Sequence, residues 1–313
     1  MKDGMTLSVD DKIALAIVES RIEALLPETY QDCDDDIQPT AMSSAPLRFG
    51  SDGSVAWDEM WESFCDLAMA GGPPHKGMLL EPGAPADIDA QRERYDDVVA
   101  EICRGVQMVT DLDARASPVP GWIRVACLTE GMAAWLLRAI TMENVAVRSD
   151  VLAIDVPAAP HFRLEKEIKN VVTVVAKTTH YWLSHTSRTH QEAIARLFVT
   201  MGEESAFVVP ATPADRAAQD TQLLAAASAA TTIGEATGLV ASPPRYTGWL
   251  GVECPTVRAA VWMMRAVVAS NVLSRREGTV LFVAINALQD PDGQRTSEAT
   301  IGAYRLARAR GVL

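Results

Sequence analysis

The chain has 313 residues, of which 48% are hydrophobic and 22% are charged. This is the composition of a globular protein, and a chain of this length can bury a core without disulfides or bound metal. The net charge of −13 disfavours a nucleic-acid partner, because binding to a phosphate backbone depends on clustered lysine and arginine. We therefore expect about two folded domains and no nucleic-acid partner.

The cysteines and the apolar runs indicate a compartment. The five cysteines, at positions 33, 65, 103, 127 and 254, form no CxxC pair and fit neither a disulfide framework nor a zinc ribbon. The first 12 residues lack the apolar core of a secretory signal. Apolar runs such as Val171–Ala176 are far shorter than the roughly 20 residues of a membrane span. These features predict a cytoplasmic protein without a membrane partner.

Residues 1–54 are predicted to form an N-terminal extension. Ser8 is a good N-cap for an amphipathic helix. The acidic run Asp32–Asp36 follows, and its spacing matches no calcium-binding loop, so we interpret it as a solvated loop. The apolar face of the helix would carry Ile13, Ala16, Ile17, Ile22 and Leu25.

The rest of the chain contains an internal repeat with a period of about 127 residues. Twelve of the 28 residues at positions 121–148 are identical to the residues 127 positions later, where average composition would give roughly two. The matches include the rare residues Trp122/Trp249, Cys127/Cys254 and Trp135/Trp262. A second block, from Pro82 to Gln91, repeats at a period of 128. The sequence therefore predicts two similar units, at residues 55–185 and 186–313.

Each unit is predicted to have the order β-α-β-α-β-α. Thr129 and Thr256 are suitable N-caps for the central helices, and Asn144 and Asn271 tolerate the left-handed backbone at a helix end. Because consecutive strands separated by helices usually join through right-handed crossovers, we predict parallel sheets, as one doubly wound sheet or two facing lobes related by a pseudo-twofold axis. The predicted strands are 78–81, 122–127, 151–156, 206–209, 249–254 and 280–285, and the predicted helices are 85–107, 129–144, 163–184, 213–236, 256–271 and 297–309.

Cys127 and Cys254 are the first candidates for chemistry. Each would lie at the carboxyl end of a strand, just before a helix N-terminus that stabilises anions and lowers the pKa of a thiol. The functional interpretation is a nucleophile or a ligand contact, and the alternative is a small buried apolar residue. Thr129 and Thr256 follow them directly and become candidates for substrate binding.

Differences between the two units indicate further candidates. Glu253 and Glu81 end predicted strands where the other unit has Ala126 and Val209, so either could serve as a general acid or base. The loop Gly71–Gly77 carries His75 and Lys76, which suit an anionic or carbonyl substrate, although Gly71 could simply end a helix.

The remaining candidates are arginines and histidines. Arg138 and Arg265 occur in both units and could bind carboxylates, although structural ion pairs are the alternative. His161 follows the third predicted strand and could face a substrate. His180, His185 and His190 recur every five residues and would not share a helix face unless the helix broke between them, so we predict no metal site.

These residues support two hypotheses of different classes. The first is a small-molecule hydrolase or lyase with its site at the junction of the two units, acting on a small polar substrate that is anionic or carries a carbonyl. No GxGxxG, GxxxxGK[ST], HExxH or GxSxG motif occurs, so no cofactor is predicted. The second is a non-catalytic carrier or sensor of a small metabolite, or a subunit of a larger complex. Assembly into a homo-oligomer remains open.

Overall fold

The computed structural model describes residues 9–27, 46–61, 77–212 and 219–313. The chain divides into two compact units. Pro27–Ala195 forms the first, which we call the continuous unit. Met1–Leu26 and Arg196–Leu313 form the second, which we call the split unit. The predicted boundaries at residues 54 and 185 remain a prediction.

The continuous unit is built around a four-stranded antiparallel sheet. Strands β1 (Ala114–Ala116), β2 (Trp122–Ala126), β3 (Arg148–Asp150) and β4 (Ala153–Pro157) lie in the order β1-β2-β4-β3, and each neighbouring pair is antiparallel. The alternate residues Ile123 and Val125 of β2, like Ile154 and Val156 of β4, are fully buried, which is the pattern of a sheet with one face on the core. The helices of this unit include α2 (Pro85–Ala90), α3 (Arg92–Thr110), α4 (Glu130–Met142) and α5 (Lys169–Ser184), the last preceded by a π-helical turn at Leu164–Ile168.

The split unit has a three-stranded antiparallel sheet. Strands β5 (Trp249–Glu253), β6 (Ser274–Glu277) and β7 (Val280–Ala284) lie in the order β5-β7-β6. Its described residues also form helices α1 (Val9–Leu25), α7 (Gln219–Thr237), α8 (Val257–Ala269) and α9 (Gln294–Arg310), while α6 (Arg188–Glu204) contains the point where the two units divide.

Residues that repeat in the sequence have like local conformations in the two units. The Thr129 hydroxyl accepts a hydrogen bond from the Met132 N–H at 3.1 Å, and the Thr256 hydroxyl accepts one from the Ala259 N–H at 3.0 Å. Both therefore act as the N-caps that the sequence predicts. Asn144 and Asn271 have φ angles of 58° and 63°, the left-handed conformation expected where these helices end.

The prediction of parallel sheets is wrong. In each unit a short strand of polar residues precedes an apolar strand. In the continuous unit the chain reverses at Val151–Leu152, between β3 and β4. In the split unit it reverses at Gly278–Thr279, between β6 and β7. This hairpin turns the apolar strand back, so that β4 pairs antiparallel with β2 and β7 pairs antiparallel with β5. The crossover rule fails because it applies only to strands that are parallel neighbours.

The prediction that both units have the same β-α-β-α-β-α order is also wrong. One sheet has four strands and the other has three, since the counterpart of β1 is only an isolated bridge between Ala241 and Val252. The predicted strands at 78–81 and 206–209 are likewise reduced to single parallel bridges, Leu80 to Val145 and Val208 to Val272.

The helix predicted over 85–107 is broken at Gln91. Its φ of −132° and ψ of 45° lie outside the helical region and divide α2 from α3. In α1, Ile22 is buried whereas Ile13 and Ile17 are exposed, so the predicted apolar face is only partly covered. Ser8, the acidic run Asp32–Asp36 and the loop residues 71–76 lie outside the described residues.

Candidate functional site

The two repeated cysteines directly follow the last residues of β2 and β5, and both are buried. The Cys127 N–H donates to the Leu152 carbonyl at 2.8 Å, and the Cys254 N–H donates to the Thr279 carbonyl at 3.0 Å. The residues are only 8% and 6% exposed. Burial raises the pKa of Cys127 to about 11 and that of Cys254 to about 12. The predicted lowering of these pKa values is therefore wrong, because loss of hydration outweighs the helix N-terminus.

These thiols do not support the predicted hydrolase or lyase chemistry. A thiol with a pKa near 11 or 12 is protonated at neutral pH, whereas the thiolate is the nucleophilic form. The Cys254 Sγ lies 3.9 Å from the Met263 Sδ, a contact between two soft apolar groups. The two buried thiols therefore supply no thiolate nucleophile for hydrolase or lyase chemistry.

The other predicted site residues lie as follows. The hydroxyls of Thr129 and Thr256 cap their own helices. Arg138 is buried, which lowers the pKa of its guanidinium, and it donates to the Ala134 carbonyl one turn earlier at 2.9 Å. Glu253 and His161 are exposed, Glu81 and Arg265 are half-buried, and His75 and Lys76 lie outside the described residues.

The predicted residues fall into both units. Cys127, Thr129, Arg138, Glu81 and His161 belong to the continuous unit. The split unit contains Cys254, Glu253, Thr256 and Arg265. Their roles in chemistry or binding remain predictions.

A cavity of about 490 Å³ lies within the split unit. This volume is in the range of small-molecule sites. Four segments form its wall: residues 211–212, the first half of α7, the loop and strand from residue 242 to 251, and the loop that follows β7. The polar lining residues are Thr212, Gln222, Ser242, Arg245, Thr247 and Asn286, and the apolar and aromatic ones include Leu223, Tyr246, Trp249, Leu250, Ile285 and Leu288.

Two glycines allow the backbone to form this wall. Gly248 has a φ of 74°, and a Cβ there would lie 2.5 Å from both the N and the O of Ala211. At Gly251 a Cβ would lie 2.0 Å from the Ser242 Oγ, so the serine hydroxyl occupies the space that a side chain would need. Any larger residue at either position would move the wall of the cavity.

The amides of the lining hold the wall together. The Gln222 Nε2 donates to the Ile285 carbonyl at 2.6 Å, and its Oε1 accepts from the Ala287 N–H at 2.8 Å. Gln222 therefore ties α7 to the loop after β7. The Asn286 Oδ1 accepts from the Leu288 N–H at 3.1 Å and shapes the same loop.

Arg245 supplies a positive charge to the lining. Its side chain is 56% exposed, and its Nη1 lies 2.9 Å from the Glu277 Oε2. The hydrogen bond to Glu277 raises the pKa of Arg245, so the guanidinium stays charged. Because a guanidinium has five N–H donors, one carboxylate leaves donors for a second anion.

Glu277 also holds a second, buried arginine. The Arg275 Nη1 lies 2.7 Å from the other carboxylate oxygen of Glu277, and its side chain is fully buried. Its guanidinium carbon lies 4.2 Å from the centre of the Phe282 ring and 4.4 Å from that of Tyr246. The aromatic faces stabilise the buried cation. Arg245 and Arg275 therefore share the carboxylate of Glu277.

The continuous unit has a different cluster at the corresponding positions. Asp155 is buried and binds Arg124 at 2.9 Å and Arg148 at 2.8 Å. The residues 127 positions later are Phe282, Gly251 and Arg275. The split unit thus has an aromatic ring in place of the aspartate and no side chain in place of Arg124, and Gly251 lines the cavity.

Sequence reasoning missed Arg245, Ser242 and Gly251. A signal was present, since Gly251 and Phe282 stand where the first repeat has Arg124 and Asp155. Nothing in the sequence indicated that these exchanges lie beside one cavity, because β5 and β7 are neighbours only in the folded sheet.

No protein-family model, no curated protein and no solved structure matches this chain. None of the helices in the described ranges is long and apolar enough to cross a membrane. Within the same ranges, no group of three or more histidine, cysteine, aspartate or glutamate side chains is placed to hold a metal ion.

Proposed function

We propose that this protein binds a small metabolite, anionic or carrying a carbonyl group, in the cavity lined by Arg245. The observation that carries the proposal is a half-exposed guanidinium on the wall of a 490 Å³ cavity, beside a carboxylate that a second arginine shares. Ligand sites are typically apolar with a few polar groups that orient the ligand. Leu223, Leu250 and Leu288 would cover the apolar part of the metabolite.

Different polar residues of the wall suit different groups of the ligand. A carboxylate or phosphate would accept hydrogen bonds from the Arg245 guanidinium in a bidentate arrangement. Ser242 and Thr247 also line the cavity, and their hydroxyls would serve a carbonyl or hydroxyl group of the ligand. The protein would act as a carrier or sensor of this metabolite in the cytoplasm, a location supported by the unpaired thiols of Cys103, Cys127 and Cys254.

Arg245→Ala tests this function. Thermal unfolding is measured with a panel of small mono-, di- and tricarboxylates and phosphate esters. A ligand present at 100 times its Kd should stabilise the folded chain by about 2.7 kcal/mol. We expect at least one anion to stabilise the native chain and Arg245→Ala to weaken its binding at least tenfold. Because the Arg245–Glu277 pair is exposed on one side, the substitution itself should cost less than about 1 kcal/mol of stability.

Arg188→Ala is the matched control. Arg188 is also an exposed arginine paired with one glutamate, Glu192, at 3.4 Å, and it is far more exposed than Arg245. Its replacement should leave anion binding unchanged. Equal weakening by both variants would mean that the anions act through net charge and would refute the proposed site. Turnover of a bound anion would show that the protein is an enzyme and would contradict the proposed role as a carrier or sensor.

A further inference from the structure

His180 and His185 meet at the end of α5 in the continuous unit. The residues that line the Arg245 cavity all belong to the split unit. The His180 Nε2 and the His185 Nε2 are 3.1 Å apart, and the ring centres are 4.8 Å apart with the rings edge to face. Five helical residues would rotate the two side chains onto different faces. The helix ends at Ser184, however, and His185 has a φ of −114° and a ψ of 0°, which brings its ring back to His180.

The distance between the nitrogens restricts their protonation. Two imidazolium N–H groups cannot point at each other across 3.1 Å, so at least one nitrogen directs a lone pair into the gap. An imidazole nitrogen with a free lone pair is the form that binds metal ions.

The same distance fits two ligands on one metal ion. With metal–nitrogen bonds of about 2.0–2.1 Å, two ligand atoms are about 2.9 Å apart at a right angle and about 3.4 Å apart at the tetrahedral angle. The observed 3.1 Å lies between these values. A metal ion could therefore replace the hydrogen bond between the histidines at the same separation of the two nitrogens, with each ring turned so that its lone pair points at the ion.

The surroundings of the pair also favour a cation. His185 follows the last turn of α5, where the helix dipole places partial negative charge. Lys177, one turn before His180 on the helix, has its Nζ 2.7 Å from the Glu143 Oε1, so a carboxylate offsets its charge. The rings of Trp61 and His180 meet edge to face, with 5.9 Å between ring centres.

We propose that His180 and His185 form a two-histidine binding site for a divalent transition-metal ion such as Ni²⁺, Cu²⁺ or Zn²⁺. In the described ranges no third histidine, cysteine or carboxylate completes the site, so water or a small anion would fill the other positions. Imidazole ligands suit these three ions, and Cu²⁺ should bind most tightly.

Titration of the chain with Ni²⁺ tests the site. Ni²⁺ is chosen because it reacts less with thiols than Cu²⁺ does. The chain carries no polyhistidine tag, because such a tag would itself bind nickel. Isothermal titration calorimetry should give one ion per chain. His180→Ala and His185→Ala should each weaken binding at least tenfold. His161→Ala is the control, since His161 is exposed and contacts Phe162 instead, and it should bind as the native chain does. Failure of the native chain to bind, or equal binding by all variants, would overturn the proposal.

A measurement on the native chain does not depend on how the variants fold. Paramagnetic Ni²⁺ should broaden the imidazole NMR signals of two of the five histidines before the others, and these should be His180 and His185. Early broadening of a different pair would overturn the proposal. The result is independent of anion binding at Arg245, so either hypothesis can fail alone.

Discussion

At the scale of single residues, burial determines the chemistry of the repeated cysteines. Relative to the ordinary thiol pKa of 9.0, the rise to about 11 at Cys127 lowers the thiolate fraction at neutral pH about a hundredfold. At Cys254 the rise to about 12 lowers it about a thousandfold. The same positions next to helix N-termini would have made reactive thiols had they been open to water.

Alkylation with iodoacetamide at pH 7.5 checks the low reactivity of the two buried thiols. In the native chain, Cys127 and Cys254 should react at least a hundred times more slowly than the same cysteines in urea, because both thiolate formation and access are reduced. Peptide mapping by mass spectrometry gives the rate for each residue. Native rates close to the rates in urea would show that the thiols are reactive.

A buried ion pair provides a second prediction at this scale. Lys177 and Glu143 are 3% and 8% exposed and 2.7 Å apart. Lys177→Met should lower the free energy of unfolding by about 3–5 kcal/mol, because it leaves a buried carboxylate without its cation. Urea unfolding measures the loss. The double variant with Glu143→Leu should recover most of it, and a double variant no more stable than the single one would contradict the explanation.

At the scale of the elements, the helix ends depend on local chemistry, whereas the direction of the strands depends on long-range pairing. The N-cap threonines and the left-handed asparagines follow from the residue type, because a threonine hydroxyl accepts a hydrogen bond within its own turn and asparagine tolerates a positive φ. Strand direction does not follow in this way. The polar strand β3 is held partly by the bond between Arg148 and Asp155 on β4, which no pattern within β3 reveals.

The caps give a prediction for the helices. Thr129→Ala should lower the free energy of unfolding by about 1 kcal/mol, because the Met132 N–H loses its acceptor. Thr129→Ser keeps a hydroxyl at the same place and should cost less than half as much. Urea unfolding of the two variants compares them. An alanine variant as stable as the serine variant would show that the cap contributes nothing.

At the scale of the whole molecule, the net charge of −13 contrasts with local positive charge. In the split unit, Arg245 and Arg275 share Glu277 near the cavity. A negative protein with a local guanidinium cluster would repel polyanions such as nucleic acid yet retain a small anion at one place. The absence of a nucleic-acid partner remains a prediction.

The sequence by itself determined the features that depend on neighbours along the chain: the caps at Thr129 and Thr256, the helix ends at Asn144 and Asn271, and the buried runs that become β2 and β5. Only the tertiary structure decided the antiparallel pairing, the raised thiol pKa values, the cavity beside Arg245 and the meeting of His180 with His185. The physical reason is that pairing, desolvation and cavity shape depend on residues distant in sequence, while the histidine contact depends on where one helix stops.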